Sequence, residues 1–92
     1  MKKFEDAILE DYQELIKGKP LHIEVNGEAI FDGAIYDIKK CMSKENWKSL
    51  MNLEVKEHCW NTTFGCYIYR LKKPIPNEIE NIIEGENENG KQ

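Results

Sequence analysis

His58, Cys59 and Cys66 bring three metal-binding or nucleophilic side chains close together in the sequence. Structural zinc takes four ligands, usually announced by paired cysteines two residues apart, and the chain has no such knuckle. Folding back about Thr62-Thr63 would set Cys59 opposite Cys66 on one face of a hairpin. Strand neighbours point to opposite faces, so His58 would then point away from both thiols. That leaves two thiols without a third ligand, with His22 and Cys41 elsewhere in the chain. The expectation is no metal, no cofactor, and two facing, reduced cysteines packed as small apolar side chains. Facing positions also lie within reach of a disulfide under oxidation.

A nucleophilic cysteine needs a partner histidine and an electropositive niche. His58 lies between Glu57 and Cys59 and reads as a surface strand residue. No nucleophile elbow, family cysteine signature, phosphate loop or dinucleotide glycine pattern occurs. The expectation is therefore not an enzyme.

A second cluster points to binding. Tyr67, Tyr69, Arg70, Lys72 and Lys73 fall close together, and Tyr67 and Tyr69 share a strand face with Leu71. Aromatics beside cations on a sheet can stack on nucleic-acid bases. The same types are interface hot spots, and Trp60 beside a turn joins them. Trp60, Tyr67, Tyr69, Arg70, Lys72 and Lys73 are the candidate binding residues. A pI near 5.2 argues against a general backbone binder, which must neutralise phosphates.

Charge is uneven. Residues 1–18 carry three Lys against five acids, residues 19–73 nine Lys or Arg against seven acids, and residues 74–92 one Lys against five Glu. A basic centre thus lies between acidic ends. These ends read as solvated faces, or as an acidic surface that imitates DNA if Glu5, Asp6, Glu10, Asp11 and Glu14 adjoin Glu78, Glu80 and Glu84.

The elements that must position these residues begin with a helix over about 3–17, its apolar stripe being Phe4, Ile8, Tyr12, Leu15 and Ile16. Gly18 and Pro20 stop it. Leu21, Ile23 and Val25 alternate with polar residues as a strand, and Asn26-Gly27 signals a type I′ hairpin pairing Ile23 with Ile30. The returning strand runs to about Ile38, with a bulge or sharp bend at Asp32-Gly33. Ser43 can cap a short helix carrying Trp47, Leu50 and Met51. Strands follow from Leu53 to Trp60 and from Phe64 to Leu71, and Pro74 and Pro76 end the sheet. A last short helix over Asn77–Glu84 would dock Ile79, Ile82 and Ile83 on the core with Ile75, leaving residues 85–92 as a disordered acidic tail.

The expected fold is α+β in the order α-β-β-α-β-β-α: one domain over residues 1–84, its N-terminal helix packed on a four-stranded antiparallel sheet of two hairpins. The Asp32-Gly33 interruption can bend that sheet strongly, toward a small barrel. At 92 residues with 40% apolar and 33% charged content, this is one globular unit with one core. Phe4 leads into Glu5-Asp6 instead of an apolar run, no stretch suits a membrane span, and the cysteine count is odd. These features imply the cytoplasm, where the Asn61-Thr62-Thr63 sequon has no meaning.

The stretch Val25-Asn26-Gly27-Glu28-Ala29-Ile30-Phe31-Asp32-Gly33, with Tyr36-Asp37-Ile38 and Cys66-Tyr67-Ile68-Tyr69, resembles short uncharacterised proteins of low-GC Gram-positive bacteria and their phages and mobile elements. The resemblance implies a small accessory protein, including an inhibitor of a host defence system. The functional expectation is a non-catalytic module that binds another protein. The alternatives are single-stranded nucleic-acid binding through the aromatic, basic strand and acidic DNA mimicry. The sequence leaves oligomeric state open.

Overall fold

The computed structural model describes residues 1–74. The helix expected at Asn77–Glu84, the docking of Ile75 and its neighbours, and the acidic tail lie outside them. Among the described residues no helix is long and apolar enough to cross a membrane.

Helix α1 spans Phe4–Leu15 and buries Phe4, Ala7, Ile8 and Leu15. Glu5 and Asp6 suit the positive end of the helix dipole, and Asp6 also accepts the backbone N–H of Lys3 at 3.3 Å. Gly18, at φ +100°, adopts the left-handed conformation that ends the run. Tyr12 and Ile16, expected on the buried stripe, are 46% and 36% exposed. Helical spacing from Ile8 to Leu15 passes through Asp11, and Tyr12 falls on the rim.

Strands β1 (Leu21–Val25) and β2 (Glu28–Gly33) form the expected hairpin, with Asn26 and Gly27 at φ 50° and 84°. Val25 pairs with Glu28 as the turn requires. The register then shifts, so that Ile23 pairs with Phe31 and not with Ile30. Ile30 is the extra residue of the bulge and is 37% exposed, while Phe31 turns into the core. The bulge thus lies at Ile30, and β2 stops at Gly33 instead of reaching Ile38. Gly33 has φ +144°, and a Cβ there would sit 3.4 Å from the Phe31 ring.

A 3₁₀ turn (Ile35–Asp37), helix α2 (Ile38–Cys41) and helix α3 (Lys44–Met51) follow. The Ser43 hydroxyl caps α3 by accepting the Asn46 N–H at 3.1 Å, as its sequence position implied. Strands β3 (Glu54–Asn61) and β4 (Cys66–Lys72) form the second hairpin.

The four strands lie in the order β2-β1-β4-β3. The sheet is mixed, not antiparallel throughout, because β1 and β4 pair in parallel from Leu21 opposite Tyr67 to Val25 opposite Leu71. The helical connection carries the chain past β1 to the far edge, so β3 enters there and β4 returns alongside β1 in its own direction. The described order is therefore α-β-β-α-α-β-β. Lys2 and Lys3 cover the start of β3: Val55 N–H donates to Lys2 O and Phe4 N–H to Leu53 O, both at 2.9 Å.

The core forms on one face of the sheet. Phe4, Leu15, Leu21, Ile23, Tyr69 and Leu71 are fully buried there, with Ile38 and Leu50 from the later helices. Phe4 meets Trp47 and Tyr69 edge-on, at centroid distances of 5.5 and 5.3 Å.

The first hairpin also grips the end of β4. The Asn26 side chain accepts the Lys73 N–H at 3.0 Å and donates to Lys73 O at 3.2 Å. Asn26→Gly should keep the turn and lose about 1 kcal/mol with this clamp, whereas Asn26→Ala should lose about 2 kcal/mol by straining the left-handed position as well. Urea unfolding of the two variants measures the difference.

Candidate functional site

Strand alternation divides the six residues that the sequence marked. Tyr67 and Tyr69 face the helices; Arg70 and Lys72 fall on the opposite face. Tyr69 is fully buried, packed against Phe4 and stacked on His58 at 5.0 Å. A ring so covered has no face left for a base. Tyr67 is half-buried edge-on to Trp60, at 4.8 Å between centroids. Trp60 is 40% exposed, with the Lys19 ammonium 5.2 Å from its centroid. Lys72 and Lys73 are exposed at the end of β4. The residues form separate groups and not one stacking platform.

Beneath α1 lies a polar cluster that the sequence reading did not anticipate. Asp11 Oδ2 accepts the Tyr69 hydroxyl at 2.6 Å and lies 2.5 Å from His58 Nε2. Burial, then the hydrogen bond to Asp11, pushes the Tyr69 hydroxyl's pKa upward and keeps it protonated. His58, expected at the surface, is 15% exposed at its side chain because the face opposite Cys59 is the one α1 covers. The signal available in the sequence was an acid at the centre of an apolar helical stripe.

The remaining acids of α1 are largely matched. Glu10 pairs with Lys2 at 2.6 Å, and Glu14 with Lys19 at 2.8 Å and Lys17 at 3.3 Å. Lys19 and then Lys17 hold the Glu14 carboxyl below its usual range. With Asp11 turned inward, α1 does not carry a continuous free negative stripe. Glu78, Glu80 and Glu84 lie outside the described residues.

The other face of the sheet is covered by no described helix. On it a chain of polar contacts crosses all four strands. Asp32 on β2 lies 2.5 Å from His22 Nδ1 on β1; His22 Nε2 lies 2.8 Å from Glu24; Glu24 accepts from Arg70 Nε on β4 at 3.2 Å; Arg70 also donates to Glu57 on β3. Partial burial opposes charge on His22, but the hydrogen bonds and negative charges of Asp32 and Glu24 outweigh it and raise the imidazole pKa. Arg70 is likewise held protonated, chiefly by Glu57. Under the ladder Ile68 is only 6% exposed. A groove of about 480 Å³ runs beside it, lined by Pro20, Phe64, Cys66 and Ile68 with His22 and Asp32.

Cys59 and Cys66 share this face but do not face each other. Cys59 pairs with Ile68, and Asn61 pairs with Cys66. The turn is centred one residue later than Thr62-Thr63 implies. Asn61 sets it by accepting the Phe64 N–H at Oδ1 and the Gly65 N–H at its carbonyl, both at 2.8 Å, with Gly65 at φ +65°. Both thiols are free.

Both His22 nitrogens are engaged by carboxylates, so neither is available to take a proton from a thiol. Burial first, then the charges of Asp32 and Cys59, push the Cys66 thiol up, away from the nucleophilic thiolate. Among the described residues no group of three or more His, Cys, Asp or Glu side chains is arranged to hold a metal ion.

The fold and this face define a small α+β domain with helices on one side of a mixed sheet and a charged ladder on the other. Neither a family model, nor a curated protein, nor a solved structure matches the chain.

Because the folded pKa of His22 is raised, the stability it supplies is fully present below the unfolded value near 6.5 and is lost as pH rises through the folded value. The melting temperature should therefore fall over that window in the wild type, and His22→Gln should flatten the decline. Thermal melts at roughly pH 5.5 to 8.5 test this.

Proposed function

We propose that the chain is a small non-catalytic protein-binding module, an accessory or inhibitor acting in the cytoplasm, and that the uncovered sheet face is its binding surface. One observation carries the reading: the Asp32-His22-Glu24-Arg70-Glu57 ladder spans all four strands on the face without a helix. Mutual hydrogen bonds hold these side chains in place, so a partner meets a preordered surface and little rotamer entropy is lost on binding. Phe64, 79% exposed beside the groove, supplies an apolar anchor at the rim. Three carboxylates against one guanidinium and one imidazole favour a basic, partly apolar protein surface.

Burial of Tyr69 and the division of the tyrosines from Arg70 favour this reading over single-stranded nucleic-acid binding. The matched acids of α1 weigh against DNA mimicry by that helix.

The test is capture of partners from the native cell by the immobilised protein. Phe64→Asp and Arg70→Glu should each weaken retention of the wild-type partner by about thirtyfold, as expected for loss of about 2 kcal/mol at a hot spot. Leu9→Asp, altering a residue 70% exposed on α1, should retain it. Loss with Leu9→Asp alone would move the interface to the helical side. Turnover of a small metabolite with no protein retained would overturn the reading.

A further inference from the structure

At the end of the sheet marked by the Asn26-Gly27 turn, a groove of about 590 Å³ opens between the first hairpin and helices α2 and α3. Val25, Ile30, Met42, Leu50 and Leu53 supply its apolar walls, and Cys41 lines it while remaining exposed. Lys73 also lines the groove. The Asn26 clamp holds the Lys73 backbone at that position, so the chain leaves the sheet at the groove's mouth.

We infer that this groove is the docking site for the chain's own residues 75–84. Two observations select that occupant. The first is where the described chain ends: Pro74 follows the clamped Lys73, and Ile75 is the next residue. The second is apolar spacing. Ile75, Ile79, Ile82 and Ile83 recur at helical intervals and match the groove's walls. Docking covers apolar walls that otherwise meet water.

Cys41 reports occupancy of the groove, while Cys59 and Cys66, on the far face of the sheet, serve as internal controls. The experiment is alkylation of the full chain by N-ethylmaleimide, with each thiol followed by mass spectrometry. Replacement of the segment's isoleucines (Ile79→Ser, Ile82→Ser, Ile83→Ser) should accelerate modification of Cys41 by about tenfold and leave Cys59 and Cys66 unchanged. Equal Cys41 rates in both proteins overturn the proposal. Acceleration of all three thiols together also overturns it, because the segment then supports the whole fold and not this groove. Protection of Cys41 that grows with protein concentration places a second copy in the groove and overturns docking within one chain.

Discussion

Asp11 stands on the buried stripe of α1, between Ile8 and Leu15, where every other inward residue is apolar. A carboxylate in that position is tolerated only if it is hydrogen-bonded, and His58 on β3 and Tyr69 on β4 both contact one of its oxygens. Apolar burial fixes neither the rotation nor the axial position of a helix, because it has no direction. Hydrogen bonds do. The pairing of Lys2 and Phe4 with the start of β3 sets where α1 begins, and Asp11, about two turns on, sets its rotation over the β3–β4 pair. The removal of either partner would leave a buried polar group unsatisfied, which makes alternative rotations costly.

The two faces of the sheet follow from that placement. With His58 and Tyr69 turned toward α1, alternation sends Glu57, Cys59, Ile68 and Arg70 to the other side. The parallel pairing of β1 with β4 then brings Glu24 within reach of Arg70, and the ladder closes across hairpins that are far apart in sequence. The helices cover one face, and the polar chain with Ile68 beneath it occupies the other.

Local chemistry was legible in the sequence. The extent of α1, the Asn26-Gly27 turn and the Ser43 cap each follow from a few adjacent residues whose backbone preferences allow little else. The bulge at Ile30 was not legible, because it answers to the core's demand for Phe31, a tertiary requirement. Nor was the parallel join of the hairpins: nothing within either hairpin says which strand meets which, and the helical connection decides it. The displaced turn after β3 depended on the Asn61 side chain, which the simple symmetry of Thr62-Thr63 conceals. For the site, alternation correctly separated His58 from Cys59. Exposure could not be assigned from one strand, so Tyr67 and Tyr69 read equally as a binding face or as core, and Asp11 as a solvated acid.

The direct test of Asp11 as the key between helix and sheet is its coupling energy with Tyr69. Asp11→Ala, Tyr69→Phe and the double variant, compared with wild type by urea unfolding, form a double-mutant cycle. Asp11→Ala should cost about 2–4 kcal/mol, and the cycle should give a coupling of about 1–2 kcal/mol. Strictly additive losses, with no coupling between the two positions, would contradict the account.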